Sequence, residues 1–168
     1  MHSGNINHFD TMKTGIDHPG VYLPPPLFYV LLFLLSIYFQ SQIPLPLLFL
    51  EANVATIVGV VFIFVGITFL LPALLKFLKT KNTLITIKPA NSLQTSGIYA
   101  ISRNPMYLSL LTLYIGIAFF KGNLWTFIFI PIVIVTITYL VILKEERYLS
   151  RAFGQEYNQY RKKVRRWI

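Results

Sequence analysis

Apolar residues in this chain gather into four runs separated by short polar stretches. The first covers Leu23 to Phe39 and opens on Pro24-Pro25-Pro26. Proline is tolerated in the first turn of a helix but not in its interior, so the pattern predicts a helix beginning inside the triplet. Gln40-Ser41-Gln42, with Pro44 and Pro46, reads as a short turn. The second run, Ala52 to Leu75, is long enough to cross a bilayer with some tilt. Gly59 and Gly66 within it let a neighbouring helix approach closely. Pro72 predicts a kink or loosened last turns, and Lys76, Lys79 and Lys81 close the run. Met106 to Phe120 is the third run, only about 22 Å long as a helix. Such an arm either thins the bilayer or begins below the interface, which would draw Arg103-Asn104-Pro105 into the membrane boundary. Lys121-Gly122-Asn123 is a tight turn, and Leu124 to Leu143 is the fourth run, with a kink expected at Pro131. The third and fourth runs therefore predict a helical hairpin. The fourth helix continues through Lys144, Glu145, Glu146 and Arg147 and stops near Gly154.

Between and around these runs the chain is polar. Residues Met1 to Gly20 read as a loose tail. Asn82 to Pro105, with Pro89 and Gly97, reads as a structured loop in which Leu84-Ile85-Thr86-Ile87 forms a short extended piece. A polar loop of this length in so small a membrane protein points to function. The tail from Gln155 to Ile168 is basic and aromatic, and Trp167 with its neighbouring arginines suits an interfacial anchor. The pattern divides the chain into a tail over 1–22, two transmembrane helices over 23–81, and a core over 82–168 holding the hairpin and basic tail.

Composition agrees with a bilayer as solvent. Of the residues, 55% are apolar and 12% charged, against roughly 25% charged in soluble chains. The expected architecture is an all-α integral membrane protein with about four transmembrane helices, a C-terminal helical hairpin and a cytoplasmic pocket. Lysines and arginines concentrate between the second and third runs and in the C-terminal tail, while the other two connections hold only Lys121. The positive-inside rule then places both termini and the long loop in the cytoplasm. The net charge of +9 flanks apolar stretches, which suits anionic headgroups rather than nucleic acid. With no cysteine, disulfides, thiolate metal sites and cysteine nucleophiles are excluded. The three histidines, His2, His8 and His18, lie in the N-terminal tail without metal-ligand spacing.

Two clusters could carry chemistry. One is Gly97-Ile98-Tyr99 followed by Arg103-Asn104-Pro105-Met106-Tyr107; the other is Glu145-Glu146 followed by Leu149, Phe153-Gly154 and Tyr157. The hairpin brings both to the same end. There Arg103 can grip a carboxylate bidentately, and the free N–H groups at the start of the third helix favour the same charge. Glu145 or Glu146 can hold an ammonium or ribose hydroxyls, and Tyr99 and Tyr107 can pack against a heterocycle. S-adenosylmethionine carries all of these groups. The same residues also have plainer uses: a membrane-flanking arginine, an Asn-Pro helix start, belt tyrosines and a solvated acidic face.

The stretch Leu93-Gln94-Thr95-Ser96-Gly97-Ile98-Tyr99, then Arg103-Asn104-Pro105-Met106-Tyr107, closely resembles the isoprenylcysteine carboxyl methyltransferase family. So do Glu145-Glu146-Arg147-Tyr148-Leu149, then Phe153-Gly154-Gln155-Glu156-Tyr157 and Tyr160, with Arg165-Arg166-Trp167 at the end. The related phospholipid methyltransferases share the hairpin and paired glutamates. The resemblance implies an intramembrane methyltransferase that uses S-adenosylmethionine and a lipophilic acceptor. It implies cofactor contacts at Asn91, Ser92, Leu93, Gln94, Tyr99, Arg103, Asn104, Pro105, Met106, Tyr107, Glu145 and Glu146, with Arg103 and Glu145 closest to the chemistry. Asn104 stands where the best-known members have histidine, so a titrating base is not expected there. An isoprenylcysteine carboxylate is the implied acceptor, with an ethanolamine phospholipid amine as the alternative. A scaffold that kept the fold without the activity is the non-enzymatic rival. None of the nine glycines makes the G-x-G-x-x-G turn of a Rossmann-like cofactor site, and no alternating strand–helix pattern exists to carry one.

Overall fold

A computed structural model describes residues 19–46, 51–79, 90 and 92–168. The expectations for the tail up to His18 and for the extended piece Leu84 to Ile87 fall outside these residues. The chain is an all-α integral membrane protein, and among the described residues its β-structure is limited to an isolated bridge between Pro46 and Asn123. Helix α1 spans Pro25–Gln42, starting within the proline triplet. The expected turn at Gln40 begins later, because α1 carries those polar residues as its last turn and Ile43 caps it through its N–H to the Phe39 carbonyl at 2.7 Å. Helix α2 covers Ala52–Lys79 and runs through Pro72. Helix α3 spans Pro105–Lys121, about 26 Å by its rise, shorter than the roughly 30 Å hydrocarbon core. Gly122, left-handed at φ 57°, closes it.

The fourth run is more broken than one kinked helix. Helix α4 is Leu124–Ile128, α5 is Ile130–Ile137, a π-helical turn covers Thr138–Ile142, and α6 is Leu143–Lys163. Pro131 sits in the first turn of α5 and explains the first break, since it lacks an N–H to continue the ladder. The π turn buries both Val141 and Ile142 and stands directly ahead of Glu145 and Glu146. Such turns recur at functional sites. Helices Pro25–Gln42 and Ala52–Lys76 and the path Leu124–Lys163 are long and apolar enough to cross a membrane, with α3 a shorter apolar helix.

Packing follows the small residues. Helix α2 lies against α3 where Gly59 faces Gly116; a Cβ on Gly116 would meet the Gly59 carbonyl at 3.0 Å and Ile63 Cγ1 at 2.7 Å. The other side of α2 faces outward, with Phe64 70% exposed, as expected of a lipid-facing surface. The opposite side of α3 joins the main core, formed by Tyr29, Tyr107, Leu111, Tyr114, Val133, Ile137, Val141 and Ile142. The connection after α1 seals the hairpin tip. Trp125 Nε1 donates to the Ile43 carbonyl at 2.8 Å, and the Ser36 and Thr126 hydroxyls bond at 2.9 Å.

Gly154 does not end the last helix; it bends it. Its φ of 49° and ψ of −119° fall where side chains are strained. The chain then resumes as helix to Lys163, and this change of course buries Tyr157 and Tyr160. A Cβ on Gly154 would meet nothing within 4 Å, so the cost of a side chain is purely conformational. Gly154→Ala is expected to destabilise the protein by about 1–3 kcal/mol. Denaturant titration in detergent measures this, and unchanged stability would show that the bend is not required.

Candidate functional site

The 3-10 turn Gly97–Ala100, the start of α3 and the start of α6 meet at one end of the hairpin. Gly97, at φ 67°, allows the reversal that begins the turn. Lys76, from the last turn of α2, ties the turn down by donating to the Ser96 carbonyl and, at 2.6 Å, to Oγ of Ser96. These elements enclose a cavity of about 380 Å³, within the range of small-molecule and cofactor sites.

The sequence-predicted residues converge on this cavity. Ser92, Leu93, Gln94, Tyr99, Arg103, Asn104, Pro105, Met106, Tyr107, Glu145 and Glu146 all line it. Asn91 lies outside the described residues. Leu149 and Tyr157, members of the second cluster, line the cavity from α6 together with Tyr148 and Tyr160. Walls with no expected role come from Pro25 and Pro26 of α1, Leu70 and Leu74 of α2, and Leu110 of α3. The tyrosines belonged to the quoted motifs, but nothing in the local pattern said which of them point inward. The apolar residues of α1 and α2 carry no chemical signal at all.

The two glutamates, adjacent in sequence, have different partners. Glu145 Oε1 accepts from the Tyr107 hydroxyl at 2.7 Å. Tyr107 is in turn fixed by its backbone carbonyl, which accepts from Tyr29 at 2.9 Å. Glu146 is buried and faces two arginines. Its Oε1 meets Arg103 Nη1 at 3.0 Å, while Arg166 donates Nε to Oε1 at 2.9 Å and Nη2 to Oε2 at 2.8 Å. The Glu146 carboxylate raises the Arg166 guanidinium above its ordinary pKa. Glu146, expected with Glu145 among the cofactor contacts, lines the cavity with its carboxylate held by protein donors. Isolated buried charge is costly, and pairing is what allows a carboxylate here.

In the C-terminal tail Arg166 turns onto Glu146, and Trp167, partly buried, packs against the main core. Asn104 is engaged by this same segment, donating Nδ2 to the Arg166 carbonyl at 3.0 Å. This bond joins the start of α3 to the C-terminal segment.

Two buried polar atoms on the wall have no partner among the described residues, Arg103 Nε and the Tyr99 hydroxyl. Burial pushes the Tyr99 phenol well up, so it stays protonated as a donor. Buried unsatisfied donors cost about 1–3 kcal/mol each, a cost that a ligand with acceptor oxygens would remove. The cavity thus combines unpaired donors, the half-buried Glu145 acceptor and aromatic walls. That set suits a zwitterionic, aromatic small molecule. Among the described residues no group of three or more His, Cys, Asp or Glu side chains could hold a metal ion.

The chain is similar in sequence to known proteins over part of its length. A stretch of 63 residues is 41% identical to an uncharacterized protein of Haemophilus influenzae, covering 38% of this chain and 100% of that protein. A stretch of 72 residues is 38% identical to the protein-S-isoprenylcysteine O-methyltransferase of Schizosaccharomyces pombe, covering 43% of this chain and 30% of that protein. No solved structure matches the chain. The profile described as phospholipid methyltransferase matches residues 54–156, a span that takes in α2, α3, the cavity turn and both glutamates. With more than half of its length covered, this membrane protein belongs to the phospholipid methyltransferase family.

Proposed function

We propose that the protein transfers a methyl group from S-adenosylmethionine to a lipophilic acceptor at the cytoplasmic face of the membrane. The observation that carries this reading is the meeting of Arg103, Tyr99, Tyr107 and Glu145 around one cavity, with Arg103 Nε and the Tyr99 hydroxyl buried and unpartnered. The cofactor supplies an activated methyl on a sulfonium. Arg103 and Tyr99 hold its carboxylate, and Glu145 holds its ammonium or ribose hydroxyls. Tyr107 keeps Glu145 in place. Ser92, Leu93 and Gln94 close the cavity beside Tyr99, and Asn91 belongs to the same segment. The apolar residues Leu70, Leu74 and Leu110 offer a wall for the acceptor's hydrocarbon. Enclosure near the membrane boundary excludes water and strengthens each polar contact. The basic residues beside α2 and in the tail support a cytoplasmic placement of both termini.

The acceptor is read as a carboxylate of the isoprenylcysteine type. A carboxylate is already nucleophilic and needs no base. The similarity to the Schizosaccharomyces pombe enzyme supports the same choice. The second reading, methylation of an ethanolamine phospholipid amine, draws on the family profile. The test is transfer of tritiated methyl from S-adenosylmethionine to a prenylcysteine and, separately, to phosphatidylethanolamine vesicles, using purified protein. Base-labile label on the prenylcysteine is expected. Base-stable label on the phospholipid would select the amine. Label in neither, nor in a total lipid extract, would leave a non-enzymatic scaffold.

A further inference from the structure

The last residues of the described chain fold back onto the cavity wall. Arg166 approaches Glu146 side-on and fills both carboxylate oxygens, while Arg103 reaches only Oε1, through Nη1. Arg103 Nη1 also donates to the Tyr157 hydroxyl at 3.2 Å. The backbone repeats the connection. The Arg103 N–H donates to the Arg165 carbonyl at 3.1 Å, and Ser102 Oγ and Asn104 Nδ2 both donate to the Arg166 carbonyl. Arg166 itself does not line the cavity.

A guanidinium facing a carboxylate alone takes it through two parallel bonds. Arg166 already occupies that fork, so Arg103 meets Glu146 through Nη1 alone, and Nε, on the other edge of its guanidinium, has no partner among the described residues. We propose that Arg166 is a positioning residue for the methyl-transfer site: by occupying the fork of Glu146 it confines that carboxylate to Nη1 of Arg103 and leaves the opposite edge, which carries Nε, to a bound carboxylate. This inference rests on the reading of the cavity as a cofactor site. Without Arg166, Glu146 is free to take Arg103 end-on through Nη1 and Nη2, which draws Nη2 away from the Nε edge that a bound carboxylate would grip. A lysine at 166 restores charge but not the fork.

The test uses full-length protein in nanodiscs. S-adenosylmethionine affinity is measured by calorimetry for wild type, Arg166→Met, Arg166→Lys, Arg103→Ala and the Arg103→Ala/Arg166→Met pair, with hydrogen exchange followed at the amides of residues 102–104. Arg166→Met is expected to weaken binding about tenfold, with Arg166→Lys in between. The double variant is expected to bind no more weakly than Arg103→Ala alone, because the two side chains act as one unit. Wild-type affinity in Arg166→Met, or losses that simply add, would overturn the proposal and leave the cofactor reading intact. If wild type binds no S-adenosylmethionine, the cofactor reading fails. The exchange data then decide the hold of Arg166 on the start of α3 separately: faster exchange of the Arg103 amide in Arg166→Met supports it, and unchanged exchange overturns it. Should Arg166→Met not fold, Arg166→Lys carries the same comparisons.

Discussion

Glu146→Ala destabilises the protein by about 3–5 kcal/mol, more than any other change at the cavity. The Arg103 and Glu146 side chains are both 9% exposed, so removal leaves a buried guanidinium without its counter-charge. The pair with Arg166 adds less, since the Arg166 side chain is 35% exposed and water screens it. The loss extends along the chain. With Glu146 gone, Arg166 has no anchor, and the bonds from Ser102 and Asn104 to its carbonyl weaken with it. Denaturant unfolding in detergent, read by circular dichroism, measures the effect. Stability within about 1 kcal/mol of wild type would mean that the pair is not a structural element, since breaking one partner of a buried pair costs more than that.

Glu145→Ala gives the opposite pattern: the fold persists and the chemistry is lost. Its only side-chain hydrogen bond among the described residues comes from Tyr107, and burial pushes its carboxyl up to about 7, so the structural cost is that of one ordinary hydrogen bond, about 0.5–1.5 kcal/mol. Its cavity-facing position predicts a larger functional effect. S-adenosylmethionine affinity is expected to fall on the order of 10–100-fold, or about 1.4–2.8 kcal/mol. Arg103→Ala is expected to match it. Glu145→Gln should recover part of the loss, because an amide oxygen still accepts from Tyr107. Calorimetry on folded protein checks all three. Wild-type affinity in Glu145→Ala and Arg103→Ala together would remove both residues from the site. The contrast between neighbours is itself informative, because an acidic doublet that acts as one unit would show the same response at both positions.

Much of the fold is legible in the sequence because the relevant forces are local. Proline in a first turn starts α1 and α3, Gly122 ends α3, and runs of apolar side chains cannot be hydrated. Gly59 and Gly66 signal a close helix approach, and the structure supplies their partners, Gly116 and Leu113, from α3. The candidate site is legible for a related reason. Its polar residues stand out against apolar surroundings, and the hairpin leaves them only one end on which to gather.

What the sequence by itself determined is which segments enter a bilayer, that helices three and four pair, and which polar residues meet at their common end. Those outcomes follow from side-chain transfer energies and backbone conformational limits, which act within a few residues. Only the tertiary structure decided that Glu146 faces two arginines while Glu145 faces Tyr107 and the cavity. It also decided that Gly154 bends the last helix rather than stopping it, and that Arg166 and Trp167 turn inward. Those choices depend on which charged group finds a partner at a distance of 20 or more residues along the chain. Hydropathy and spacing carry no record of that pairing, because its energy exists only once the helices have packed.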